Sequence, residues 1–116
     1  LSEIATRYTS KTFKVIYRRE SALQEERGYH TCHATPNFWA YIMATGDVYS
    51  CSAYLLDNRF NLGNIKEDSF EEIWLGEKRK ENLLFVENEL DISECRKSCR
   101  MDRANRYLFD LKNPSG

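Results

Sequence analysis

The sequence has no apolar run near the ~20 residues that a membrane helix needs, which rules out a transmembrane or signal segment within it. It has no excess of charge: 17 Lys and Arg stand against 18 Asp and Glu, for a formal charge of −1. Overall charge therefore gives no reason to expect a nucleic acid or an anionic membrane as partner. It lacks the C-x2-C pairs of most zinc ribbons and fingers, and it has no cysteine beyond four. With 41% apolar and 13% aromatic residues, what is present is too rich in both for a disordered chain. The 116 residues fit one domain, or one domain with a tail, whose core is possible but not generous. The chain opens at Leu1 rather than Met and closes on Asn113-Pro114-Ser115-Gly116; it reads as a piece of something longer.

Cys32, Cys51, Cys95 and Cys99 are the most informative residues. Nothing marks the chain as secreted, and a cytoplasmic, reducing compartment favours free or metal-bound thiols over disulfides. The spacing is C-x18-C, a gap of 43 residues, then C-x3-C. A cluster is larger than a single ion and accepts wider ligand spacing, usually through four thiolates. An iron–sulfur cluster thus ranks first, with zinc next and disulfides or inert thiols still open.

Along the chain, Phe13, Val15 and Tyr17 alternate with Thr12, Lys14, Ile16 and Arg18, predicting a strand over 12–18 with one apolar face, and 21–27 reads as a loop or short helix. The β-favouring run 38–44 is followed by Thr45-Gly46-Asp47-Val48. A two-residue type II′ loop at Gly46-Asp47 would set Thr45 opposite Val48 and Ile42 opposite Cys51. Cys32 and Cys51 would then lie at one edge of a hairpin. Residues 58–66 read as a turn-rich connection. Ser69-Phe70-Glu71-Glu72 is a capping box, starting a helix with Phe70, Ile73 and Trp74 on one face, ended or kinked by Gly76. Residues 77–88 form a second helix with Leu84 and Phe85 inward. Met101, Ala104, Leu108 and Leu111 predict a helix from near Cys99 to Leu111, stopped by Pro114. The basic residues Arg96, Lys97, Arg100, Arg103 and Arg106 read first as a solvated face, second as charge balance for a cluster, and last as a nucleic-acid patch. His30 and His33 flank Cys32; surface histidines without a role outrank ligands or proton donors. The fold class is α+β: a β-hairpin followed by helices, joined by Phe38, Tyr41, Phe70, Ile73, Trp74, Met101 and Leu108, and held by a four-cysteine metal site.

The string from Cys32 through Gly46 to Cys51 is C-x13-G-x4-C. It resembles the opening of the SPASM and twitch domains, the C-terminal auxiliary-cluster domains of radical S-adenosylmethionine enzymes. Thr45-Gly46-Asp47-Val48-Tyr49-Ser50-Cys51 is similar to their hairpin. Phe60-Asn61-Leu62-Gly63-Asn64-Ile65 and then Ser69-Phe70-Glu71-Glu72-Ile73-Trp74 look like their connection into a helix. The C-x3-C pair comes last, as their ligands do. A full SPASM domain has seven cysteines and usually two clusters, so the resemblance implies the shorter, twitch-like form. It implies one [4Fe–4S] cluster on Cys32, Cys51, Cys95 and Cys99, which zinc can replace in an isolated preparation.

The implied division is a linker or strand over 1–28, following a missing domain, and an auxiliary-cluster domain over 29–116. The implied partners are an N-terminal barrel, which would carry the S-adenosylmethionine, and an unknown substrate; membrane is excluded and nucleic acid ranks last. The catalytic C-x3-C-x2-C motif would need a cysteine where Asp102 stands. The chain alone is therefore expected to be an inert fragment of an oxidoreductase, which an assay for 5′-deoxyadenosine on the reduced chain checks. The alternative is a zinc-stabilised interaction module without a redox role.

Overall fold

The computed structural model describes residues 2–16, 26–96 and 99–114. A helix α1 (Ser2–Tyr8) comes first. The strand expected over 12–18 does not form in its described part. Ser10 N–H bonds the Phe13 carbonyl (2.7 Å) and Val15 N–H bonds the Thr9 hydroxyl (3.3 Å). These local turns take backbone groups that a ladder would need, and Phe13 and Ile16 stay exposed. Tyr17 and residues 21–25 of the two expected segments lie outside the described residues.

A short helix α2 (Thr35–Phe38) leads into the sheet. β1 (Tyr41–Ile42), β2 (Asp47–Tyr49) and β3 (Asn61–Asn64) make a three-stranded antiparallel sheet in the order β1-β2-β3. The hairpin register differs from the expected one: Ile42 faces Val48 and Tyr41 faces Tyr49. The loop is therefore Ala44-Thr45-Gly46, three residues rather than two. Gly46 N–H bonds the Met43 carbonyl (2.9 Å), and Gly46 sits at φ +91°. A left-handed glycine closing a three-residue loop is the other common hairpin solution.

The connection read as turns contains β3. Asn and Gly are poor strand formers, yet each has a task here. The Asn64 carboxamide donates to the Thr45 carbonyl and to Asp47 Oδ1, both at 3.2 Å, and accepts from Lys66 N–H at 2.8 Å. It stitches the hairpin tip to β3. Gly63 lies so close to helix α3 (Phe70–Trp74) that a Cβ there would come within 3.2 Å of Ile73 Cγ1.

The two helices that follow form where the sequence predicts. Both halves of the capping box are present: Ser69 Oγ accepts from Glu72 N–H and the Glu72 carboxylate accepts from Ser69 N–H, each at 3.2 Å. α3 ends before Gly76, and α4 spans Glu77–Asn88. The inward residues of α4 are Asn82 and Val86; Leu84, expected inward, is 61% exposed, while Phe85 is half-buried. The last helix, α5 (Asp102–Lys112), starts three residues later than expected. Its buried side chains are Asp102 and Asn105, while Leu111 of the expected apolar stripe is exposed.

Successive residues of β2 serve opposite faces of the sheet. Val48 joins Leu62 and Ile73, with Ala40 and Trp74 against them. Tyr49 joins Phe60 and Val86, and Cys32, Cys51, Met43, Tyr54 and Phe85 pack on that group. Phe60 is the hub of the second cluster: Tyr54 stacks on it at 4.4 Å and Phe85 meets it edge-on at 5.9 Å. Of the expected core, Ile73 is buried, and Trp74, Met101 and Leu108 are half-buried. Phe38, Tyr41 and Phe70 are exposed instead. Phe38 ends α2 at an open groove, Phe70 begins α3 and stacks on Trp74 at 5.6 Å, and Tyr41 lies on the two-residue strand β1, exposed along its length. No helix among the described residues is long and apolar enough to cross a membrane.

Candidate metal centre

Each cysteine stands in a loop or at the edge of a helical turn. Cys32 lies in the loop before α2. Cys51 precedes the 3-10 turn Ser52–Tyr54, and its sulfur accepts from Ala53 N–H at 3.4 Å. Cys95 closes the 3-10 turn Ile92–Glu94, with its N–H on the Ile92 carbonyl at 3.1 Å. Cys99 precedes α5, and its sulfur accepts from Met101 N–H at 3.4 Å. All four are free, half-buried thiols.

Cys32 and Cys51 pack on the same apolar cluster as Tyr54, whose hydroxyl meets the Cys95 sulfur. Burial is the main cause that pushes the Cys51 thiol up, the Ala53 N–H pulls it down, and Cys99, Cys32 and Cys95 each add repulsion. A cation nearby would offset that repulsion at Cys51. Among the described residues, no three His, Cys, Asp or Glu side chains are gathered for one metal ion.

The two sulfurs without a backbone donor have side-chain partners from far along the chain. Asn105 donates its Nδ2 to Cys32 Sγ at 3.2 Å. The Tyr54 hydroxyl lies 3.1 Å from Cys95 Sγ. Burial, then the bond to Cys95, raises the Tyr54 hydroxyl well above its ordinary value, so it remains protonated. Against a thiolate, which only accepts, the hydroxyl is the donor.

A polar frame holds these loops. The Arg27 guanidinium donates to the carbonyls of Ile92, Cys95 (2.9 Å) and Arg96 (2.8 Å). The buried Asp102 carboxylate accepts from the Tyr29 hydroxyl (2.7 Å) and from Arg106 Nε (2.8 Å). Burial alone would raise the Asp102 carboxyl. The bonds from Arg106 and Tyr29 and the charges of Arg106 and Arg27 outweigh it and hold it below the usual carboxylate range. Arg106 also donates to the Glu26 carbonyl. The position of a missing third cysteine is thus a structural clamp.

Other candidates fall elsewhere. Arg100 and Arg103 are exposed, as a solvated face requires. Arg96, also exposed, donates to Ser52 Oγ at 3.1 Å, and Lys97 lies outside the described residues. The His30 side chain is exposed. His33 lines an open groove of about 410 Å³ with Asn37, Phe38, Leu108, Leu111 and Lys112. Sequence reasoning misses Arg27, Tyr29, Tyr54 and Asn105: their partners are 41 to 73 residues away, and no local pattern announces such a bond.

The donor chemistry fits an iron–sulfur cluster: four free, half-buried thiols, with Cys32 and Cys51 packed on one apolar cluster, Cys95 at the Tyr54 hydroxyl beside that cluster, and a hydrogen-bond partner at each sulfur. A family model for the SPASM iron-sulfur cluster-binding domain matches residues 32–100, more than half of the chain. No curated protein and no solved structure matches it.

Proposed function

The chain belongs to the SPASM family of iron–sulfur cluster-binding domains, and from that premise we propose that it holds one [4Fe–4S] cluster on Cys32, Cys51, Cys95 and Cys99. It does so as the auxiliary domain, over 29–116, of a cytoplasmic radical S-adenosylmethionine oxidoreductase. The partner is an N-terminal barrel carrying the catalytic cluster. The observation that carries the reading is the set of four free, half-buried thiols within the matched residues, each with its own hydrogen-bond partner.

When bound, such a cluster supplies a one-electron store and a rigid anchor. Four thiolates would leave no iron open, which suits electron relay, or support of a substrate site beside it, better than bond cleavage at iron. The chain's own residues supply the frame. Arg27 fixes the Cys95 loop, and the Tyr29–Asp102–Arg106 clamp fixes α5 against the Cys32 loop. Arg27 and Arg106 also offset the negative charge that such a cluster carries.

The test is anaerobic reconstitution with iron and sulfide. The expected product is brown, with about four irons and matching acid-labile sulfide per chain, as a cubane requires. A colourless chain that binds one zinc and takes up no iron would mark a zinc-stabilised interaction module instead.

A further inference from the structure

We propose that Asn105 and Tyr54 are positioning residues that set the reduction potential of the cluster, each by donating one hydrogen bond to a ligand sulfur. The inference rests on the cluster reading above. Two of the four sulfurs, Cys51 and Cys99, are met by backbone N–H groups two residues on. Any residue except proline at those positions supplies them. The donors at Cys32 and Cys95 depend on side-chain identity.

The Asn105 carboxamide can face only one way. Its oxygen accepts from His33 N–H (2.8 Å) and Ala34 N–H (2.9 Å), and amide N–H groups do not point at an NH₂ group. The NH₂ group is therefore turned to Cys32 Sγ. The residue is 3% exposed, so no water competes for the bond. Tyr54 is fixed just as firmly, because its ring lies on Phe60 at an angle of 7° with its hydroxyl at Cys95 Sγ.

A donor at a ligand sulfur withdraws charge and favours the more negative, reduced state. The electron comes from an electrode or dithionite; neither donor gives up its proton and no bond breaks. Removing a donor must therefore lower the potential.

Tyr54→Phe deletes the hydroxyl and keeps the stacked ring. Asn105→Asp keeps an oxygen for the His33 and Ala34 N–H groups and replaces the donor at Cys32 by a second oxygen. The measurement is the midpoint potential of the reconstituted chain, followed by electron paramagnetic resonance, with iron counted on the same samples. Tyr54→Phe should load fully and shift the redox equilibrium about tenfold toward the oxidised state, about 59 mV for one electron. Asn105→Asp should shift it at least as far in the fraction that carries a cluster. Unchanged potentials in loaded variants overturn the proposal, since a merely structural role would cost iron and leave the potential alone. If Asn105→Asp binds no iron, Tyr54→Phe alone decides. A wild-type chain that takes up no iron overturns the cluster reading, and the proposal with it.

Discussion

Around Val48, Leu62 and Ile73 the chain is joined by side chains without a polar atom. Around Cys32 and Cys95 the apolar cluster of Tyr49, Phe60 and Val86 reaches only part of the way, and the outlying segments are joined by hydrogen bonds from Arg27, Tyr29, Tyr54, Asn105 and Arg106. The two ends draw on different sources of stability. A buried Val, Leu or Ile contributes about 1.5–3 kcal/mol without help from other segments. A hydrogen bond nets only about 1 kcal/mol, because water is given up to make it. A frame of such bonds around four free cysteines gains from a metal, whose binding free energy becomes folding free energy. The sheet end should therefore be independent of the cluster, and the cysteine end should depend on it.

The largest effect expected is at the ligands. Cys32→Ser, Cys51→Ser, Cys95→Ser and Cys99→Ser should each lose most of the iron taken up on reconstitution, read by iron and sulfide content, while the far-ultraviolet dichroism of the sheet and helices persists. Two variants with a full cluster would break the ligand assignment.

Asp102→Asn comes next. It keeps the shape of the clamp and removes the charge, at an expected cost of about 1.5–3 kcal/mol, typical of hydrogen bonds to a charged group, read by urea unfolding at pH 7. The pH dependence has a definite sign. The folded carboxyl lies below its ordinary value, which is about 3.9 when unfolded. The stabilisation is therefore present above about pH 4 and is lost as the pH falls through the lowered folded value. The Asn variant should lack that acid-sensitive part. An unfolding curve with the wild type's dependence below pH 4 would show that the clamp is not charged.

Gly46→Val sharpens the contrast from the sheet side. Its φ of +91° suits glycine, and a Cβ would come within 2.8 Å of Asn64 Oδ1. The variant should lose about 1–3 kcal/mol through loop strain and still bind its full complement of iron in the cold. Thermal unfolding beside an iron count reads both. Loss of iron without loss of stability would mean that the hairpin tip supports the metal centre directly.

What was legible in the sequence follows the range of the interactions. The capping box at Ser69 and the helix Glu77–Asn88 rest on contacts within a few residues, and both were readable. Gly46 was readable as a turn glycine, but the register was not, because Thr45-Gly46-Asp47 suits a two-residue loop as well as the three-residue one observed. β3 was hidden by its own composition, since Asn61, Gly63 and Asn64 look like turn residues until the hairpin tip and Ile73 are in place. Phe38 and Phe70 look like core because they are large and apolar, yet each stands at the end of a short helix, where nothing packs over it fully. The cysteines were legible by chemical type and spacing. Their donors Asn105 and Tyr54 were not, because a bond spanning 73 or 41 residues leaves no trace in a local window.

The most direct test of the contrast is amide hydrogen exchange on the same chain before and after anaerobic reconstitution. Cluster-dependent order at the cysteine end predicts strong added protection at Ala53, Tyr54, Cys95 and Met101, whose N–H groups bond a cysteine sulfur or lie in the turns that carry one. Val48, Gly63, Ile73 and Leu75 should exchange at the same rate in both states. Equal rates at the cysteine end before and after iron, or a uniform rise across the sheet as well, would contradict it.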